Sequence, residues 1–125
     1  MTKTINISWS SVRNYLETDA DMVPVKSGIY EILVLQNDGK YTRKYVGIAE
    51  DLRKRFIEHL SKFEENENIK NGLHDYICGF DYSLTDSELI RKDAELGLFE
   101  KYQYVWNKAR PEGSGYYSNI VITES

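Results

Sequence analysis

The sequence predicts one α+β domain, in which a small three-stranded antiparallel sheet is flanked by helices as an αβ sandwich. Two segments rich in strand-forming residues, 27–36 and 41–48, lie on either side of Asp38-Gly39, a pair typical of short hairpin turns. Amphipathic patterns with helical spacing follow at 50–63 and 85–104. A chain of 125 residues is long enough to bury one hydrophobic core, and this one contains no repeat and no low-complexity linker.

The N-terminal part of the chain predicts a short helix before the first strand. Residues 8–18 have amphipathic spacing and include Ser10 and Ser11, either of which can cap a helix. A loop through Pro24 leads from this helix into the sheet. We expect the chain to divide into a helical N-terminal extension, a core and a C-terminal tail, at 1–25, 26–108 and 109–125.

The hairpin determines which side chains share a face of the sheet. With a two-residue loop, Ile32 lies opposite Tyr45, and Tyr30 lies on the diagonal. Tyr30 and Tyr45 should then be close together on one side of the sheet. Neighbouring tyrosines are structural packing in most proteins, so this proximity alone does not indicate chemistry.

The first long helix places a basic pair beside an apolar stripe. The stripe consists of Leu52, Phe56, Leu60 and Phe63. Arg55 and His59 are four residues apart at its edge and should adjoin the sheet. Such a pair is a surface feature in most helices, so its meaning depends on what lies near it.

A polar segment and a third strand are expected to follow this helix. Residues 64–75 are polar and contain glycine, which predicts an exposed loop with His74 in solvent. Residues 76–83 predict the third strand, in which Cys78 is a small buried residue. Near the end of the chain, residues 116–123 can form an edge strand.

The second long helix contains a carboxylate on its apolar face. A capping-box pattern at 85–88 begins this helix, which should run to about residue 104. Its apolar residues are Ile90, Ala94, Leu98, Phe99, Tyr102 and Val105, and the charged Lys92, Asp93 and Glu100 lie opposite. Glu95 lies within the apolar face, where an unpaired carboxylate costs several kcal/mol. A structural ion pair with Arg91 or Arg55 is one way to compensate this cost.

The charge of the chain is unevenly distributed. Between Lys40 and Lys62, seven basic residues accompany three acidic ones, so this segment carries +4 in a chain of net charge −4. A basic strip on an acidic body can steer a phosphate backbone to one place, although most such strips are solvated helix faces.

Composition also indicates the cellular compartment. The single cysteine excludes an internal disulfide and a cysteine-rich zinc site, which fits a reducing cytoplasm. No apolar run approaches the ~20 residues of a membrane span, and the polar N-terminus does not read as a secretory signal. We therefore expect a cytoplasmic protein without membrane contact.

A set of short motifs runs through the middle of the chain at fixed intervals. These are Gly28-Ile29-Tyr30, Tyr45-Val46-Gly47, Arg55 ten residues after Tyr45, His59 one helical turn later, and Glu95 twelve residues before Asn107. In these residues and intervals, the segment 27–107 resembles the GIY-YIG nuclease family, as a stand-alone single-domain member. The chain departs from the family pattern at Tyr104, near where members often carry proline, and at Ile48, where many carry lysine or serine.

The resemblance implies a divalent-metal-dependent DNA endonuclease that hydrolyses phosphodiester bonds by a one-metal mechanism. Glu95 would be the single protein ligand of Mg²⁺, or of Mn²⁺, which suits an ion that retains most of its waters. Tyr30 would help to deprotonate the attacking water, and His59 would accept the phenol proton. Arg55 would stabilise charge on the phosphate, and Tyr45 would position the water or the phosphate.

Other residues have supporting roles in this interpretation. Gly28 and Gly47 would allow close backbone approach, and Asn107 would anchor the end of the helix near the site. Contacts to the DNA backbone would come from Arg43, Lys44, Arg53 and Lys54. A homodimer or a partner protein would supply specificity, because one small domain reads little sequence. The alternative is a catalytically weak or silent module that binds nucleic acid or protein, which the acidic body favours.

Overall fold

A four-stranded antiparallel sheet forms the centre of the fold, which a computed structural model describes for residues 1–125. Its strands, in order across the sheet, are β2 (Arg13–Asn14), β5 (Cys78–Leu84), β3 (Gly28–Leu35) and β4 (Tyr41–Ala49). Two parallel strands, β1 (Thr2–Ile7) and β6 (Asn119–Glu124), form a second sheet. The α-helices are α1 (Leu52–Leu60), α2 (Glu67–Asp75) and α3 (Glu88–Lys101). The α+β class is confirmed, whereas the predicted count of three strands is wrong.

Two apolar clusters lie on opposite faces of the central sheet. On one face, Tyr30 and Phe80 pack with Phe56 of α1 and Ile69 of α2. On the other, residues such as Ile29 and Val46 pack with Ala94 and Leu98 of α3 and with the two-stranded sheet. Cys78 is buried and unpaired, as predicted. None of the helices is long and apolar enough to span a membrane.

The predicted helix over residues 8–18 does not form. This stretch contains β2, and a 3₁₀ helix (Glu17–Met22) follows it. Tyr15 is buried, stacks on Phe56 with ring centroids 4.2 Å apart, and donates its backbone N–H to the Cys78 carbonyl. The backbone of this stretch therefore forms hydrogen bonds to the sheet, although the sequence pattern predicted a helix. The division of the chain at residues 25 and 108 stays a prediction.

The hairpin confirms the predicted tyrosine pair by a different route. Its loop has three residues rather than two, because Gln36 N–H donates to the Lys40 carbonyl and Gly39 takes a positive φ of 84°. A β-bulge that adds Lys44 then compensates, so Ile32 still lies opposite Tyr45. The rings of Tyr30 and Tyr45 have centroids 6.0 Å apart.

Residues 64–75, predicted as an exposed loop, contain α2. The side chain of Asn66 caps this helix by accepting hydrogen bonds from the backbone N–H groups of Asn68 and Ile69. The segment has only two apolar residues at helical spacing, Ile69 and Leu73, so its sequence pattern was too weak to indicate a helix. The preceding helix α1 ends at Leu60, and Phe63 is therefore 78% exposed instead of completing the apolar stripe.

Helix α3 is capped by Ser87 rather than by the first residue of the predicted capping box, and it buries Asp93 on the face that was expected to be polar. Asp93 accepts hydrogen bonds from both N–H and Oγ of Ser114, and Arg91 donates to the Thr85 carbonyl. Val105, expected on the apolar face, lies beyond the end of the helix and is exposed. Contacts with the returning C-terminal segment explain the burial of Asp93, and helical periodicity cannot reveal contacts with a distant segment. The predicted C-terminal strand is present as β6.

Two carboxyl groups face each other inside the protein, on adjacent strands. Glu31 and Asp81 are directly opposite and almost fully buried. Glu31 Oε2 accepts hydrogen bonds from Arg43 and Tyr104, but Glu31 Oε1 and Asp81 Oδ1 have no partner. Burial, and then the neighbouring Glu31 carboxylate, raises the pKa of Asp81 to about 9. Asp81 is therefore protonated at neutral pH.

This pair predicts that stability falls as pH rises. The folded chain binds a proton on Asp81 that the unfolded chain releases above its ordinary pKa of about 4, so the free energy of unfolding falls as the pH rises from about 4 towards 9. Asp81→Asn removes this dependence, so its stability relative to the wild type should grow with pH. Urea unfolding at pH 5, 7 and 8.5 measures the difference, with the exposed Asp86→Asn as control. Parallel pH curves for wild type and Asp81→Asn would refute the assignment.

Candidate active site

Tyr30 is the centre of a buried polar cluster on one face of the sheet. Its hydroxyl lies 2.7 Å from His59 Nε2, and its ring stacks on Phe80 with centroids 5.3 Å apart. Gly47 is opposite Tyr30 in the sheet, and a Cβ there would come within 2.5 Å of the Tyr30 hydroxyl. The glycine of Tyr45-Val46-Gly47 thus provides the space that the tyrosine of Gly28-Ile29-Tyr30 occupies.

His59 connects Tyr30 to a carboxylate that the sequence interpretation did not include. Its Nδ1 lies 2.7 Å from Glu64 Oε2, and both side chains are largely buried. Burial lowers the pKa of His59, although Glu64 opposes that effect. The imidazole is therefore neutral at pH 7, which is the state that can accept a proton from Tyr30.

Arg55 is the cation closest to the tyrosines. Burial raises the pKa of Tyr30 well above its ordinary value, with a further contribution from Tyr45, whereas Arg55 lowers it by charge and hydrogen bonding. The phenol is therefore protonated at rest and donates to His59. The Arg55 side chain is 45% exposed, and its sole ion pair is a loose one, 3.7 Å from Glu58. The guanidinium thus remains accessible to an incoming phosphate.

Glu95 is half-buried on α3 and forms no hydrogen bond or ion pair with the rest of the chain. The two proposed structural partners are engaged elsewhere, Arg91 with a carbonyl and Arg55 with Glu58. Burial raises the pKa of Glu95 to about 7, and Arg55 opposes the rise. Glu95 in turn raises the pKa of Tyr45, so its carboxylate is within electrostatic range of both residues.

Few side chains of this site could bind a metal ion. No group of three or more His, Cys, Asp or Glu side chains is arranged to hold an ion. An unpaired carboxylate within electrostatic range of an accessible arginine nevertheless fits Mg²⁺, which commonly takes one or two protein carboxylates and retains its waters. Glu95 would then be the single protein ligand.

Asn107 holds the Tyr45-Val46-Gly47 segment from outside the sheet. Its side-chain amide donates to the Val46 carbonyl at 2.9 Å and accepts from the Val46 N–H at 3.0 Å. Strand β4 is at the sheet edge, so the amide satisfies backbone groups that would otherwise lack a partner. Asn107 lies beyond the end of α3, and Tyr104, at the position of the expected proline, is buried with its hydroxyl bonded to Glu31.

A pocket of about 600 Å³ opens beside these residues. It is lined by Tyr45, Arg55, Glu58, His59, Ser61, Phe63, Glu64, Glu65, Asn66 and Lys108. Arg55 also lines a neighbouring pocket together with Ile48 and Lys54. Neither Glu95 nor Tyr30 lines these two pockets, whereas Tyr45, Arg55 and His59 line the larger one.

Of the residues expected to contact the DNA backbone, the arginines have partners within the protein and the lysines are at least partly exposed. Arg43 bridges Glu31 and Glu124 at 2.7 and 2.9 Å, and Arg53 donates to the carbonyls of Val23 and Asp21. Lys54 is exposed and Lys44 is partly exposed. Gly28 has a packing role, since a Cβ there would lie 2.3 Å from the Ser83 carbonyl oxygen.

Comparison with known proteins gives one distant relative. No family model and no solved structure matches the chain. UvrABC system protein C of Clostridium tetani is 28% identical over 109 residues, which cover 86% of this chain and 17% of that protein. The chain therefore spans less than a fifth of this relative, and the similarity is consistent with the GIY-YIG resemblance.

Proposed function

We propose that this chain is a divalent-metal-dependent DNA endonuclease whose active site is built around Tyr30. The observation that carries the proposal is the buried hydrogen bond between Tyr30 and a neutral His59, beside the accessible Arg55. The similarity to UvrABC system protein C supports a nuclease-type function, and the motif intervals support the GIY-YIG chemistry.

Proton transfer in this proposal runs through two side chains. As water attacks the phosphorus, the Tyr30 oxygen takes a proton from the water, and the Tyr30 phenolic proton moves to His59 Nε2. An isolated phenol, with a pKa of about 10, is a weak base at neutral pH. Because the Tyr30 oxygen lies 2.7 Å from His59 Nε2, the phenolic proton moves to His59 in the same step.

Arg55 and Glu95 have the electrostatic roles. Arg55 stabilises negative charge that develops on the non-bridging oxygens, because its guanidinium stays ionised and binds phosphate with two N–H groups. Glu95 would hold Mg²⁺ or Mn²⁺, which when bound supplies charge stabilisation for the leaving 3′ oxygen. Tyr45, on the same face as Tyr30, would position the water or the phosphate.

The substrate is proposed to be DNA, bound through phosphates. Lys54, which lines a pocket together with Arg55, would contact the backbone, as would Lys44, and Lys108 on the wall of the other pocket would add a third contact. Cleavage of both strands needs two active sites, which a homodimer would provide. A silent binding module is the second candidate, favoured by the net charge of −4, and it would show salt-sensitive binding without cleavage.

Arg55→Ala is expected to reduce nicking of supercoiled plasmid in Mg²⁺ by about 10²–10³-fold, because it removes a preorganised charge from the phosphate. The assay compares Mg²⁺, Mn²⁺ and EDTA. Lys26→Ala removes an exposed cation outside the proposed DNA contacts, so it is the control for loss of positive charge and should retain most activity. Equal nicking by wild type and Arg55→Ala would refute the role of Arg55, and DNA binding without nicking by the wild type would favour the silent module.

A further inference from the structure

Glu64 is held in place on both of its carboxylate oxygens. Oε2 lies 2.7 Å from His59 Nδ1, and Oε1 accepts the backbone N–H of Asn66 at 3.0 Å. Asn66 in turn caps α2 and donates its side-chain amide to the Trp106 carbonyl. The start of α2 therefore fixes the carboxylate that contacts His59.

This arrangement determines which nitrogen of His59 carries the proton. A carboxylate can only accept hydrogen bonds, so Nδ1 must be the protonated nitrogen of the neutral ring. Nε2 then presents its lone pair to the Tyr30 hydroxyl, which donates. With the opposite tautomer, Nε2–H would donate to the Tyr30 oxygen and could not accept the phenolic proton, and Nδ1 would face Glu64 without a hydrogen.

Glu64 is the one carboxylate in hydrogen-bond contact with His59. The other groups that face the ring are Tyr30 from β3, Tyr45 from β4, Arg55 and Glu58 from α1, and around the adjoining pockets Lys62, Glu65, Lys70, His74 and Lys108. Glu58 is paired with Arg55. When His59 takes the phenolic proton, Glu64 is the nearest group able to balance the new positive charge.

We propose that Glu64 is a positioning residue of the nuclease site, which selects the Nδ1-protonated form of His59 and stabilises the imidazolium formed during the reaction. This inference rests on the proposed function. It makes the segment that delivers Glu64, which had been expected to be a solvent-exposed loop, a component of the active site. Tyr30, His59 and Glu64 then form a proton relay, in which the proton moves from Tyr30 to His59 and Glu64 balances the resulting charge.

Glu64→Gln is the informative variant because an amide cannot replace both contacts of the carboxylate. If the amide oxygen faces His59, its NH₂ faces the Asn66 N–H, and two donors oppose each other. If the oxygen faces Asn66, the NH₂ donates to Nδ1 and forces the opposite tautomer. Glu64→Ala removes both contacts and serves as the second variant, and Glu67→Gln, three residues on, exposed and outside the pocket, is the control for charge.

The test combines a tautomer measurement with a pH–rate profile. ¹⁵N NMR of the imidazoles is direct because the chain has two histidines, and His74 is exposed and serves as reference. We expect the Nδ1–H form for His59 in the wild type and a shift toward Nε2–H in Glu64→Gln. We expect the plateau rate of plasmid nicking to fall roughly 10- to 100-fold in both Glu64 variants. Removal of the carboxylate also lowers the pKa of His59, so the acidic limb should move to lower pH when the rate is measured at saturating Mg²⁺, where protonation of Glu95 does not limit cleavage.

The outcomes separate this inference from the proposed function. An Nε2–H tautomer in the wild type overturns the role of Glu64 whether or not the protein cleaves DNA. Unchanged rates and an unmoved acidic limb in both variants overturn it while the nuclease stands. If the wild type fails to cleave DNA in any metal, the proposed function fails, and the catalytic purpose of Glu64 fails with it, even where the tautomer is as expected.

Discussion

Tyr30→Phe is expected to lower the rate of DNA cleavage by about 10²–10⁴-fold, the range typical for loss of a general acid–base group. The variant keeps the ring that stacks on Phe80 and fills the space above Gly47, so the active-site geometry should be preserved. It leaves His59 Nε2 without its buried partner, at a cost of roughly 1–3 kcal/mol in stability. Single-turnover rates in Mg²⁺ at pH 7–8, together with urea unfolding, measure both effects.

Tyr15→Phe is the matched control for this loss of stability. Tyr15 is buried in the same cluster and donates to the Phe56 carbonyl at 3.0 Å, but it lies outside the proposed relay. Both variants remove one buried phenolic hydroxyl, so they should be destabilised to a similar degree. Only Tyr30→Phe should lose activity. Comparable rates in the two variants would mean that Tyr30 packs in the core and does no chemistry.

Glu95→Gln is expected to remove measurable Mn²⁺ binding and, with it, DNA cleavage. Glu95 forms no internal hydrogen bond or ion pair, so an amide there leaves the fold unchanged while it removes the negative charge that a cation needs. Because burial raises the pKa of Glu95 to about 7, a proton competes with the cation below that pH. Wild-type affinity should therefore be roughly tenfold weaker at pH 6 than at pH 8.

Mn²⁺ titration followed by electron paramagnetic resonance at pH 6 and 8 measures these affinities directly. Glu100→Gln, an exposed carboxylate on the same helix, controls for nonspecific loss of charge. Equal Mn²⁺ affinity in wild type and Glu95→Gln, or an affinity independent of pH, would show that the cation binds elsewhere or not at all. A change in unfolding free energy without any change in Mn²⁺ binding would identify Glu95 as a structural residue.

Local signals explain what the sequence could predict. The Asp38-Gly39 turn and the flanking strand patterns place Tyr30 and Tyr45 on one face, and the unexpected third loop residue is cancelled by the bulge at Lys44. The four-residue spacing of Arg55 and His59 brings both to that face, since α1 packs there. These relations depend on residues close in sequence, where turn chemistry and periodicity dominate.

Most of the features that the sequence could not predict depend on contacts between residues far apart in the chain. Asp93 reads as a surface charge until the C-terminal segment folds over α3 and supplies Ser114. Glu64 lies in a polar segment whose helix has too few apolar residues to be recognised, and only a carboxylate five residues after His59 could have hinted at its contact. Asn107 was predicted as an anchor, but its partner, the backbone of Val46, depends on β4 being an edge strand.

Cleavage of an end-labelled DNA duplex by wild type and Glu95→Gln, purified in parallel, most directly tests the claim that this chain is a metal-dependent endonuclease. We expect the wild type to release 3′-hydroxyl and 5′-phosphate ends in Mg²⁺ and none in EDTA, and Glu95→Gln to release neither. Cleavage that persists in EDTA, that is equal in Glu95→Gln, or that leaves 3′-phosphate ends would contradict the account.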